Sequence, residues 1–176
     1  GRALVFGDQA TTRPYANNPA IQIHGPGFSK ILIGEDQIEN WRDRLDLIVA
    51  SIADNGGRSC IDASTVVVPR YATEIADALA QRLGPIQPAP ADNEQACLAG
   101  FANPSMAQTI DAALEQDLQT PGATEVTARY RQGPRRVVFQ GGVYLRPTIV
   151  QCDSFAHPLA NREFLFPYAS VVAVPQ

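Results

Sequence analysis

Cysteine is scarce in this 176-residue chain: Cys60, Cys97 and Cys152 are the whole set. An odd, sparse set does not make a disulfide framework. No Cys-x-x-Cys pair and no paired histidine spacing occurs, so no metal centre of the zinc type is expected. A reducing, cytoplasmic setting and at least one free thiol are the expectation. Positive charge is scarce as well. The formal net charge is -4 and the pI ≈ 5.1, the wrong balance for a nucleic-acid partner. The nearest thing to a basic patch, Arg129, Arg131, Arg135 and Arg136, reads as a solvated strand face. No apolar run approaches the roughly 18 residues that suggest a membrane span. No secretory signal, internal repeat or low-complexity tract is visible.

What remains is the composition of an ordinary globular domain, 45% hydrophobic and 18% charged, long enough for one sizeable core. The chain starts at Gly1 without a methionine and stops just after the apolar run Ala169 to Val174. The expectation is a domain taken from a longer polypeptide.

Strand-like stretches occur at Ala3 to Phe6, Ile31 to Ile33 and Thr65 to Val68, the last rich in β-branched residues and closed by Pro69. Between the second and third, Ile38, Trp41, Leu45, Ile48 and Ile52 recur at spacings of three or four. They predict a helix from about Asp36 to Asn55, stopped by Gly56-Gly57. A second helix is expected over Tyr71 to Leu83 with Gly84 as its cap. Gly84 to Asp92 carries three prolines and reads as a loop. A third helix follows from Ser105 to Leu118, with Pro104 at its first position. Val126 to Tyr130, Arg136 to Phe139, Arg146 to Val150 and Ala169 to Val174 are strand candidates. The order predicts an α/β domain with a mostly parallel sheet flanked by helices.

The chemistry-bearing segment is Asn55-Gly56-Gly57-Arg58-Ser59-Cys60-Ile61-Asp62-Ala63-Ser64. A helix ends at a glycine pair and a thiol follows on the loop before a strand. Such loops display reactive groups, and glycine permits close backbone approach to a ligand. A deprotonated thiol there can attack a carbonyl carbon. The alternative is a small buried hydrophobe, the commoner fate of a lone cysteine.

The stretch Gly57 to Ser64, running on into Val66-Val67-Val68-Pro69, resembles the active-site cysteine segment of the aldehyde dehydrogenase superfamily. Two further segments are similar to family motifs in the same order. Gly142-Val143-Tyr144-Leu145-Arg146-Pro147-Thr148-Ile149 matches a Gly-x-Phe/Tyr-x-x-Pro-Thr-Val pattern. Arg162-Glu163-Phe164-Leu165-Phe166-Pro167-Tyr168 resembles a Glu-x-Phe-Gly-Pro-Val pattern, and Glu163 follows Cys60 at about the family's separation. The resemblance runs from about Ile21 to Val174.

The resemblance implies residues 1–176 as the catalytic, cysteine-bearing domain, with the cofactor-binding domain outside the chain. It implies NAD or NADP as cofactor, a small-molecule aldehyde as substrate and a homo-oligomer as the full-length protein. Cys60 is then the nucleophile, forming a thiohemiacetal and then a thioester. Glu163 matches the carboxylate that accepts the nicotinamide ribose hydroxyls. Phe166, also assigned to the cofactor, stands where the family has glycine, so the local backbone or the nicotinamide contact differs.

A second departure lies in His24-Gly25-Pro26-Gly27-Phe28-Ser29-Lys30. Aligned on Gly27 and Ser29, it puts His24 where hydrolytic members carry a glutamate base. Histidine serves as a general base near neutral pH, or it packs the loop. Members that pass the acyl group to coenzyme A often lack the glutamate, which makes acylating activity the runner-up. A non-catalytic family member used for assembly is the reading from a different class. Cys97, Cys152 and His157, the last taken as a loop residue beside Pro158, are assigned no chemistry. Asp62 is expected to be solvated.

Overall fold

The computed structural model describes every residue except Asp8, Pro26 and Gln176, and only the backbone of Gln9 and Ala10. In chain order the elements are β1 (Ala3–Phe6), α1 (Gln9–Thr12), β2 (Ile21–His24), β3 (Lys30–Leu32), α2 (Leu45–Ala53), β4 (Thr65–Val68), α3 (Ala72–Leu83), α4 (Pro104–Leu118), β5 (Ala123–Glu125), β6 (Arg136–Phe139), β7 (Gly142–Leu145), β8 (Thr148–Cys152) and β9 (Tyr168–Ala173). The main sheet has the order β3-β4-β9-β8-β5. Its pairs are parallel except β5 against β8. The expected α/β architecture with a mostly parallel sheet is what the chain forms.

A parallel sheet with helices on both faces needs strands that are apolar on both sides. β9 meets that need. Successive side chains point to opposite faces, so Val171 packs with the α2 and α3 layer and Val172 with the α4 layer. Ile48 and Ile52 of α2 and Ile75, Leu79 and Leu83 of α3 fill the first layer. Ala107 and Leu114 of α4 join Leu145, Phe164 and Phe166 in the second. Asn103 caps α4 by accepting from the Ser105 amide, with Pro104 at the first turn as expected.

Several expectations shift. The helix predicted from Asp36 to Asn55 is broken: Ile38–Arg44 is a 3-10 segment with non-helical dihedrals at Asn40, and only Leu45–Ala53 is α-helical. Gly84 is the C-cap of α3 as expected, its amide donating to the Ala80 carbonyl, but its backbone is right-handed. It is glycine because an added Cβ would lie 2.7 Å from the Ala80 carbonyl and 2.8 Å from Tyr130 Cβ. The strand expected at Val126 to Tyr130 lies earlier, at β5, because Thr127 opens a 3-10 turn. The Thr127 hydroxyl donates to Glu125 and accepts the Ile149 amide, replacing a strand partner. Arg146 to Val150 is not one strand. The chain leaves a β6–β7 hairpin at Leu145 and enters β8 at Thr148. Between them Arg146 is buried, donating to the carbonyls of Gly84, Ile86 and Gln132.

The arginine cluster is only half solvated: Arg129 and Arg136 are exposed as expected, and Arg131 and Arg135 are not. Arg135 is 4% exposed. It pairs with Asp111, Glu115 and Glu125, while Arg131 pairs with Glu125. Burial works to raise the Glu125 carboxyl, but the two arginines outweigh it and hold it below the ordinary carboxylate range. His157 is buried too, and its Nδ1 accepts the Leu159 amide to open the turn Pro158–Asn161.

β1 and β2 form a separate two-stranded parallel sheet. Leu4, Phe6 and Ile23 on it are exposed. None of the described helices is long and apolar enough to cross a membrane.

Candidate active site

The loop that carries Cys60 is folded by backbone conformations few residues adopt. Asn55, Gly56 and Gly57 all have left-handed φ, 54°, 69° and 66°, and they reverse the chain at the end of α2. Gly57 also has no room for a side chain: a Cβ would sit 2.2 Å from the Pro167 nitrogen. The backbone after Glu163 therefore lies against the backbone before Cys60. Arg58 fastens the same junction. Its Nε donates to the Leu165 carbonyl at 3.3 Å and an Nη to the Ala99 carbonyl at 3.0 Å. Its guanidinium lies 4.3 Å from the centre of the Phe101 ring. Burial pushes the Arg58 guanidinium down from its ordinary value.

Beyond Arg58 the chain makes a tight turn. The Ser59 amide donates to Asp62 Oδ2 at 2.7 Å, and the Asp62 amide donates back to the Ser59 carbonyl at 3.0 Å. Asp62 is half-buried rather than solvated, and burial raises its carboxyl against the lowering effect of the Ser59 amide. Cys60 stands at the tip of this turn with its thiol exposed. Among the described residues no acceptor takes the Cys60 amide, so its N–H is available to an incoming oxygen.

The other wall comes from the segment before β3. A Cβ on Gly27 would lie 1.6 Å from the Cys60 carbonyl oxygen, so only glycine fits there. Ser29 Oγ donates to the same carbonyl at 3.0 Å. Ser29 is held from behind, since its carbonyl accepts both the amide and the hydroxyl of Ser64. Glu163 faces this segment: Oε1 accepts the Gly27 amide at 3.3 Å and Oε2 the Phe28 amide at 2.6 Å. Lys30 is close enough that Glu163 raises its ammonium, although burial, the larger effect, lowers it.

The four sequence-predicted residues thus stand in different relations. Cys60 and Glu163 reach the same small segment, Gly27 to Ser29, from opposite sides. His24 ends β2, and its ring stacks on Phe6 with 4.6 Å between centroids. Pro26, between the two, lies outside the described residues. Phe166 is 2% exposed, packed against Phe164 and Tyr168. A ring so buried offers no face to a cofactor, so the contact assigned to it is corrected: Phe166 fills the core, and its carbonyl carbon lies 2.4 Å from the place of a Gly57 Cβ. Gly27, Ser29, Arg58 and Asp62 had no assigned role in the sequence. The Gly27 and Ser29 spacing was the available signal.

Burial raises the Cys97 thiol and pushes the Cys152 thiol up to about 12. Cys152 Sγ lies 3.9 Å from His157 Nδ1 inside the core.

Glu163 also borders an open cleft with Asn103, Ser105, Met106, Thr109, Ile110 and Leu165.

No protein-family profile and no curated protein matches this sequence. Solved structures do. An aldehyde dehydrogenase from Bacillus cereus in complex with NAD+ superposes with a TM-score of 0.81 at 18% identity, over 99% of this chain and 35% of that one. Aldehyde dehydrogenase C from Pseudomonas syringae, a cysteine-to-alanine mutant complexed with NAD+ and octanal, gives 0.78 at 22% identity, over 99% and 36%. The aldehyde dehydrogenase KauB from Pseudomonas aeruginosa gives 0.76 at 19% identity, over 99% and 36%. The chain has the fold of a segment of these enzymes and spans about a third of their length.

Proposed function

We propose that this chain, folded as a segment of an aldehyde dehydrogenase, is the cysteine-bearing part of an NAD(P)-dependent enzyme that oxidises an aldehyde through Cys60. The observation that carries this reading is the exposed Cys60 thiol at the tip of a braced turn, with its own amide free. A thiolate there adds to the aldehyde carbon, and the new oxyanion is within the natural reach of the Cys60 N–H. Carbon–sulfur bond formation gives a thiohemiacetal on Cys60, and loss of hydride gives a thioester. When bound, the nicotinamide supplies the hydride acceptor. Glu163, beside its hydroxyl-lined cleft, would take the ribose hydroxyls. His24 is the candidate base that activates water against the thioester.

Residues 1–24 add to this reading. Parallel strands are ordinarily buried on both faces, and β1 and β2 are not. They fit the margin of a larger parallel sheet, which this reading assigns to the cofactor-binding part of the longer protein. Its cytoplasmic location and homo-oligomeric state are expectations of the same reading.

In the protein that carries this chain, Cys60→Ser or Cys60→Ala should abolish aldehyde-dependent NAD(P) reduction. Undiminished reduction in either variant would sink the proposal. A second reading, transfer of the acyl group to coenzyme A, is favoured by histidine at the position of the hydrolytic base and by the engagement of its ring with Phe6. Supplying aldehyde, NAD(P) and coenzyme A decides between them: acyl-CoA supports the second reading, free acid the first.

A further inference from the structure

The carboxylate of Glu163 is already engaged in the chain by itself. Amides of two consecutive residues, Gly27 and Phe28, point at its two oxygens. Converging amides of this kind make a small concave anion site. What they hold in place is not a stable turn of its own accord. Phe28 has φ 48°, a left-handed conformation that costs a non-glycine residue energy. Its side chain is 50% exposed, so burial of the ring contributes little to keeping it there. Lys30 Nζ adds one bond to the Phe28 carbonyl at 3.4 Å. The short, charge-assisted bond to Glu163 is the stronger hold.

The held segment bears directly on the nucleophile. Gly27 lies on the Cys60 carbonyl with no space for a methyl group, and Ser29 Oγ donates to that carbonyl. Ser64 anchors only the far end of the segment, at Ser29. The near end, Gly27 and Phe28, is anchored by Glu163.

We propose that Glu163 is a positioning residue for Cys60: its carboxylate clamps the Gly27–Phe28 turn, and the turn fixes the orientation of the Cys60 peptide. The proposal rests on Cys60 as the nucleophile and deepens the role given to Glu163, because one carboxylate then serves both cofactor recognition and nucleophile placement. It predicts that loss of the carboxylate disturbs Cys60 even when no cofactor is bound.

The test uses the protein that carries this chain, with alkylation read at the Cys60 peptide by mass spectrometry so that it is separated from Cys97, the other exposed thiol of the segment. Two readouts are taken without cofactor: hydrogen exchange at the Gly27 and Phe28 amides, and the pH profile of iodoacetamide alkylation at Cys60. Glu163→Ala should speed exchange at both amides by about tenfold, the loss expected for a charge-assisted bond. It should also change the plateau rate of alkylation by about fivefold or more, a coupling typical of linked sites. Glu163→Gln keeps one carbonyl acceptor and should fall between the parent and Glu163→Ala. A purely electrostatic effect of the lost charge would make the two variants equal and overturn the clamp. Gly27→Ala approaches the same contact with Glu163 intact and should also disturb alkylation. If Gly27→Ala alters Cys60 while both Glu163 variants match the parent, the proposal fails. Protection of β9 amides confirms that each variant is folded. Cofactor affinity of Glu163→Ala in the longer protein tests the ribose role separately, so either role can fail alone.

Discussion

Single residues in this chain are chosen as much for what they leave out as for what they add. Gly57 combines a left-handed φ of 66° with backbone of the opposite loop 2.2 Å from the place of a Cβ. An alanine there meets both penalties, so Gly57→Ala should cost about 2–3 kcal/mol of stability by denaturant unfolding, the range of overpacking plus backbone strain. A cost under half a kcal/mol would mean that the two loops are not in contact. The three thiols give a second test. Cys60 is exposed, burial raises Cys97, and burial pushes Cys152 up to about 12. Since the thiolate is the reactive form, alkylation near pH 8 should run fastest at Cys60 and slowest at Cys152. If mass spectrometry finds Cys60 labelled no faster than Cys97, a scaffold role without catalysis gains over the catalytic one.

At the scale of elements, the approach to Glu163 is set by a short turn that would not hold by itself. His157 opens it: Nδ1 accepts the Leu159 amide, so Nε2 carries the proton and donates to the Thr120 carbonyl at 3.2 Å. Tyr168 donates to the Leu159 carbonyl and Thr65 to the Ala160 carbonyl, which ties the turn to β9 and β4. Removing the histidine leaves the buried Leu159 amide without its acceptor and the Thr120 carbonyl, on an exposed residue, without its donor. His157→Ala should therefore lower stability by about 2 kcal/mol, the cost of a lost cap and an unsatisfied amide. His157→Asn, which keeps a side-chain acceptor, should recover part of it. Equal losses in the two variants would show that the ring acts by volume rather than as a cap. In the longer protein, His24→Asn should slow thioester hydrolysis by about a hundredfold, the usual size of general-base catalysis, and leave the first burst of reduced cofactor intact. An unchanged steady-state rate removes His24 as the base.

At the scale of the whole molecule, a buried charge network and a weakly held margin stand out among the described residues. Glu125 sits between Arg135 and Arg131, its carboxyl held below the ordinary value after burial has worked against it. A carboxylate with a depressed folded pKa stabilises fully above its unfolded value, roughly pH 4.3. That contribution is lost as pH falls through the folded pKa. Glu125→Gln should lower stability at neutral pH by about 1–3 kcal/mol, less than a fully broken buried pair because Asp111 and Glu115 still face Arg135. It should also flatten the acid limb of the stability curve below about pH 4. A variant whose acid limb matches the parent would place the acid sensitivity elsewhere. The margin is the β1–β2 sheet. Two strands with exposed apolar faces are marginal, so their amides should exchange well before those of β4, β8 and β9. Equal protection would show residues 1–24 to be integral to the main body.

Much of this was written in local sequence. The β-branched runs at Thr65 to Val68 and Ala169 to Val174 read as strands, because side-chain period and χ1 stiffness are properties of the residues themselves. The glycine pair, the Asn103-Pro104 helix start and the order of the motifs around Cys60 and Glu163 were legible for the same reason. Tertiary structure decided what depends on partners far along the chain. Arg131 and Arg135 looked as solvated as their neighbours Arg129 and Arg136 until Asp111, Glu115 and Glu125 closed on them from other elements. Phe166 looked like a cofactor contact until Phe164 and Tyr168 enclosed its ring. The engagement of Glu163 with Gly27 and Phe28 spans most of the chain, and only folding brings a carboxylate and two amides from such distant positions onto the residue that bears the thiol.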